Sequence, residues 1–126
     1  MRITTPHVIV AGLCAPALFA TTATAHHGWN WAEGELSELT GMIQEISFAP
    51  PHPSLVVEVD GEIWQVDLGN PNQTQRSGFA QGSAEAGDIV TILGNRSLDE
   101  SENLIKAVRI TIEGQNYDMY PERIEG

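Results

Sequence analysis

Between residues 54 and 68 the chain runs apolar-polar-apolar into an Asp60-Gly61 pair and out again, a pattern that specifies a β-hairpin. Leu55, Val57 and Val59 lie on one side of the first arm, with Val56 and Glu58 on the other, and Ile63, Trp64, Val66 and Leu68 continue the second arm. A two-residue hairpin loop needs a positive φ at its central positions, and Asp-Gly accepts that geometry readily.

The rest of the chain from Leu36 reads as further strands with one interruption. A first strand is expected over roughly 36–48, where Leu39, Gly41, Ile43 and Glu45 alternate with Thr40, Met42, Gln44 and Ile46, although the alternation weakens toward its end. Gly41 within it permits the sharp bend or bulge that a barrel strand needs. Ala49-Pro50-Pro51-His52-Pro53 stops the strand with three prolines that lack backbone donors and stiffen the loop. The polar stretch from Asn70 to Gly78 predicts a short surface helix, with Asn70 as cap, Pro71 in the first turn and Gly78 as the stop. Ala86-Gly87-Asp88 makes a turn into a fourth strand, Ile89 to Leu93, and Gly94 follows. After a polar, acidic loop from Asn95 to Asn103, Leu104 to Ile112 predicts a fifth strand. Its alternation sets Ile105, Ala107, Arg109 and Thr111 opposite Leu104, Val108, Ile110 and Ile112. The tail from Glu113 is polar apart from Tyr117, Met119 and Tyr120, which can fold back onto the body.

Five strands with a helix between the third and fourth is the order of the small Greek-key barrel called the OB-fold, so the fold class is all-β. Closing the sheet would also remove strand edges open to aggregation. A plain antiparallel sandwich is the alternative, and neither architecture names a function.

The first 25 residues have the character of an export signal. Arg2 gives a positive start, Val8 to Ala20 is mostly apolar, and Ala23 and Ala25 supply small residues for a peptidase. That apolar run, about 13 residues, falls short of the roughly 20 a membrane-spanning helix requires. The expected organisation is a removed signal over 1–25, an N-terminal segment over 26–35 and a barrel over 36–126, in the periplasm or secreted from a bacterium. Cleavage would leave 101 of the 126 residues. The chain's single cysteine, Cys14, would leave with the signal, which excludes disulfides, zinc-thiolate sites and thiol nucleophiles from the mature protein. Five bases would then face 17 acids, a formal charge of −12. So acidic a domain has no basic stripe for nucleic acid and little attraction to anionic membranes.

The junction Ala25-His26-His27-Gly28, taken with Gly41-Met42-Ile43-Gln44-Glu45-Ile46-Ser47-Phe48-Ala49-Pro50-Pro51-His52, resembles a family of small exported bacterial proteins of unknown function. Members typically show Ala-His-His-Ser near the mature start and a Gly-x-Val segment leading into Asn-Pro-His. The likeness continues through Asp60-Gly61 with Trp64, Pro71 with Arg76 and Gly78, and Gly87-Asp88 with Val90 and Gly94. This chain departs from the pattern with Gly28 in place of the serine and Pro50 in place of the asparagine, so the hydrogen bonds of that asparagine are missing while His52 is kept. The resemblance brings no established activity with it.

His26, His27 and His52 are the only histidines after Ala25. Cleavage there would make His26 the first residue, and its amine and ring form a chelate that a second imidazole, from His52 or His27, completes. Planar nitrogen donors suit Cu(II), which heads the divalent affinity order. Two other arrangements use the same residues. Copper can take the amine, the displaced amide of residue 27 and the His27 ring with no help from the fold, or zinc can take three rings with a carboxylate or water, Glu33 and Glu35 being near in sequence. Cleavage after Ala23 would place His26 third and create a different copper chelate. The segment from His26 to the first strand is long enough to bring the terminus back to His52. Trp29 and Trp31 are expected to anchor that segment by burying their rings, and Trp64 to be core.

No serine nucleophile motif, glycine-rich phosphate loop or distinctive carboxylate pair is present, so catalysis has little support. The sequence therefore points to a periplasmic metal-binding protein, copper first and zinc second, that buffers the ion or delivers it to an envelope partner. The alternative is a non-catalytic OB-like module that binds a peptide, glycan or small ligand through its loops.

Overall fold

The computed structural model describes residues 29–124. The signal expected over 1–25, with Cys14, lies outside the described residues, as do His26 and His27. Six strands are formed: β1 (Ser37–Ser47), β2 (Ser54–Val59), β3 (Glu62–Asp67), β4 (Ile89–Arg96), β5 (Leu104–Ile112) and β6 (Gln115–Asp118). One short helix, α1 (Pro71–Ser77), sits between β3 and β4. The sheet order is β3-β2-β1-β4-β5-β6, and a parallel pairing of β3 with β5 closes the first five strands into the expected OB-type barrel. The sandwich alternative is thereby excluded. No helix among the described residues is long and apolar enough to cross a membrane.

The hairpin forms as its sequence requires, with positive φ at Asp60 and Gly61. Leu55, Val57, Trp64 and Val66 from its two arms join Ile43, Val90, Ile92 and Ile110 in the core. The helix likewise follows its local signals. The Asn70 side chain accepts from the Gln73 amide at 2.8 Å, and Gly78 ends the helix with a left-handed φ of 96°.

Two bulges correct the predicted alternation. In β1, Ile43 faces Val57 and Glu45 faces Val56, which leaves Gln44 as an extra residue. The strand's parity therefore changes, and Ile46 packs against the same core as Ile43 instead of opposing it. In β5, Gly94 faces Ala107 and Leu93 faces Arg109, so Val108 is the extra residue. Its carbonyl accepts from the amides of both Met119 and Tyr120, at 2.8 and 3.2 Å. As a result Ile105 and Ala107 enter the core together with Val108, Ile110 and Ile112, contrary to a single two-sided alternation.

Two further corrections concern the ends of the polar segments. Asn95 and Arg96 extend β4 and do not belong to the following loop. The tail forms a sixth strand through a Glu113-Gly114 turn with φ of 53° and 80°, and Arg109 Nε donates to Asp118 Oδ1 at 2.6 Å across the new pair. A 3-10 turn at Pro121–Arg123 follows.

The N-terminal segment is laced to β4, as the tryptophans lead one to expect. Trp31 is buried, Ala32 bridges Ser97, Glu33 N donates to Arg96 O at 2.8 Å, and Leu98 N donates to Trp31 O at 2.8 Å. Buried Asn95 fixes the next turn of chain by donating to Glu35 O at 3.0 Å.

Candidate binding cleft around His52 and Lys106

The stiff loop after β1, the start of α1, the first half of β5, the N-terminal segment and the stretch after β6 meet at a cleft of about 230 Å³ lined by Trp29, Pro51, His52, Asn70, Lys106 and Tyr120. His52 is held by its own loop, with Nδ1 3.2 Å from the Pro53 carbonyl oxygen. A carbonyl can only accept, so this contact puts the neutral ring's proton on Nδ1 and leaves the Nε2 lone pair free. Nε2 lies 3.8 Å from Oδ2 of Asp67, a carboxylate buried at the end of β3. The other oxygen of Asp67 accepts from Gln65 Nε2 at 3.1 Å, which fixes the carboxylate plane.

Lys106 is the chain's only lysine, and it stands opposite Asp67 in the parallel β3–β5 register. Only 5% of its surface is exposed. Its ammonium sits 5.2 Å from the centre of the Trp29 ring and 5.5 Å from that of Tyr120, within the range of cation–π attraction. The same indole carries the Arg123 guanidinium at 3.6 Å and meets Tyr120 edge-to-face at 5.0 Å. Burial is the main cause of a lowered Lys106 pKa; Asp67 opposes that shift and Arg123 adds to it. Burial also raises the Tyr120 pKa, against the pull of the Asn70 backbone facing its hydroxyl.

Of the residues the sequence singled out, His52 stands in this cleft and Trp29 forms one wall of it. Glu33 and Glu35, the carboxylates nearest to His26 in sequence, do not line it. Glu35 borders a separate groove with Asn95 and Arg123. The acid beside His52 is Asp67. Among the described residues no group of three or more His, Cys, Asp or Glu side chains is placed to hold a metal. Sequence reasoning missed Asp67, Lys106 and Tyr120. Their signals were a lone lysine inside the apolar run Leu104–Val108 and an aspartate between Val66 and Leu68.

Fold and cleft together define a small closed β-barrel with a polar cleft beside its anchored N-terminal segment. The chain belongs to a family of unknown function, DUF6152, whose family model matches residues 15–105. No curated protein matches the chain. The matched span includes His26, His27, His52 and Asp67 and stops one residue before Lys106.

Proposed function

We propose that the processed protein is a periplasmic metal-binding protein that holds one copper ion through the amine and ring of His26 with His52 as the third donor, His27 being the rival for a place in the site, and buffers the ion or passes it to an envelope partner. The observation that carries this reading is that Trp29, two residues after His27, walls the same cleft as His52. Consecutive Cα atoms are about 3.8 Å apart, so the backbone of His27 stays within about 8 Å of Trp29, and that of His26 within about 11 Å. The free Nε2 of His52 supports it further. A metal-ligating histidine normally gives its other ring proton to a carbonyl or carboxylate, as His52 gives Nδ1–H to Pro53. Asp67 is also close enough to matter. The 3.8 Å between His52 Nε2 and Asp67 Oδ2 is less than two ordinary ligand distances of about 2.0–2.2 Å each, so one ion can touch both.

The test is Cu(II) titration, followed by electron paramagnetic resonance, of protein whose first residue is verified by mass as His26. The expected result is one tight site, weakened at least about tenfold and altered in spectrum by His52→Ala, and lost when an alanine is added before His26. No tight site, or one whose spectrum ignores His52→Ala, would overturn the reading.

A further inference from the structure

The Lys106 ammonium has no assigned role in holding a metal, and its setting is unusual. The residue is 95% buried, as its 5% exposure implies, yet among the described residues its ammonium forms no hydrogen bond and no ion pair. Asp67 acts on it only at longer range, because that carboxylate is engaged by Gln65 on one oxygen and faces His52 with the other. A second cation, Arg123, stands on the same indole and repels it. An ammonium normally remains buried only where an anion or several acceptors satisfy it. Around the cleft Lys106 and Arg123 stand with Asp67 and Glu122, and neither carboxylate forms an ion pair with the Lys106 ammonium.

The lining of the cleft offers hydrogen-bond donors. Asn70 has committed its Oδ1 to the first turn of α1, so its remaining capacity is the amide donor. Tyr120, with its pKa raised, keeps its hydroxyl proton. No carboxylate lines the cleft itself, Asp67 lying behind it. Trp29, Tyr120 and Pro51 supply flat or rigid apolar walls around these donors. With about 230 Å³ the space is below the roughly 300 Å³ at which drug-sized ligand pockets begin, and it suits a small molecule.

We propose that this cleft binds a small free organic carboxylate, with the anion on Lys106 and Asn70 and a flat apolar body against Trp29, Tyr120 and Pro51. The site shares its cleft and Trp29 with the metal reading but uses none of His26, His27 or His52 as a ligand, so metal-free protein tests it separately. It also gives a reason for a lysine in the most buried strand of the barrel, where methionine would fill the same space without desolvating a charge.

Benzoate is the probe, with acetate and inorganic phosphate as comparators, titrated into metal-free protein and followed by amide and indole NMR shifts. Benzoate is expected to saturate with a Kd of about 1 mM or tighter, moving the Trp29 indole and the amides of residues 105–107, while acetate binds more weakly and phosphate more weakly still. Lys106→Met is expected to weaken benzoate at least about tenfold while the melting temperature stays level or rises, because a buried charge is removed. A purely structural lysine predicts the reverse, a lower melting temperature. Trp29→Ala, at a half-buried position that the fold tolerates more readily, should weaken benzoate and leave acetate nearly unchanged. Absence of saturable benzoate shifts, equal affinity in Lys106→Met, or phosphate binding as tightly as benzoate would each overturn the proposal.

Discussion

Gly94 is a position where a single methyl group should damage the barrel. It pairs with Ala107 at the β5 bulge, and a Cβ placed there would overlap the Lys106 carbonyl oxygen, with the carbonyl carbon at 2.9 Å and the Ala107 Cα at 3.1 Å. All three neighbours are backbone, so no side chain can rotate away and the two strands must separate. Overpacking of this kind costs about 1–3 kcal/mol, and rigid backbone contact places Gly94→Ala at the upper end. The lost flexibility of the unfolded chain returns about 0.4–1 kcal/mol, leaving a net loss of about 2 kcal/mol. For a domain of this size each kcal/mol lowers the melting temperature by about 4–8 °C, so the expected fall is about 8–16 °C. Gly34→Ala is the control. Nothing lies within 4 Å of a Cβ there and φ is not positive, so its effect should stay within about 0.5 kcal/mol. Thermal unfolding followed by circular dichroism compares the two. A Gly94→Ala protein that melts within about 3 °C of the parent would refute the close β4–β5 approach and the bulge geometry derived from it.

Asn70→Ala removes the acceptor for the Gln73 amide and should cost about 0.5–2 kcal/mol by urea denaturation, with Asn70→Asp costing less. Asp67→Asn should weaken copper by about 10–100-fold if the carboxylate orients or touches the ion, as isothermal titration can measure; an unchanged affinity would remove Asp67 from the metal site. The lowered pKa of Lys106 has a definite sign in stability. Between that lowered value and the unfolded value near 10.4 the unfolded chain binds more protons, so stability should rise with pH through this window, the penalty being complete below it and gone above it. Urea titrations stepped through the alkaline range below the unfolded value should show that upward slope in the parent and not in Lys106→Met, and equal slopes would contradict the burial of the charge. Asp118→Asn breaks a surface pair with Arg109 and should change stability by at most about 1 kcal/mol in the same assay.

Elements defined by local chemistry were legible in the sequence. Asp60-Gly61 dictates its hairpin through φ, and Asn70, Pro71 and Gly78 dictate the helix ends through capping, so neither needs the rest of the chain. The β5 boundaries also emerged as read, because Leu104–Ile112 is continuously apolar enough to mark them. What the sequence did not disclose depends on pairing between distant strands. The extra residues at Gln44 and Val108 exist only because β2 and β4 fix a register against them, and each reverses the parity of everything beyond it. Glu113-Gly114 is a weaker relative of Asp-Gly and does not announce a hairpin turn, which hid β6, although the apolar Tyr117, Met119 and Tyr120 did signal the tail's return to the barrel. His52 was found because its loop is distinctive, whereas Asp67 and Lys106 become neighbours only through barrel closure.

Closure is therefore the step that creates the cleft chemistry. The parallel β3–β5 pairing sets Asp67 against Lys106. The Val108 bulge lets Ile105 and Ala107 serve the core, so Lys106 between them is directed away from it, toward the cover supplied by Trp29 and Tyr120. The same Val108 carbonyl accepts from the Tyr120 amide and holds that cover in place. Deleting Val108 would leave every β4–β5 pair in place, Ala107 with Gly94 and Arg109 with Leu93, but it would remove the carbonyl that holds the amides of Met119 and Tyr120. The bulge thus keeps Ile105 and Ala107 on the same side as Ile110 and Ile112 in the native sequence, and its spare carbonyl fastens the aromatic lid over the one cation that faces outward.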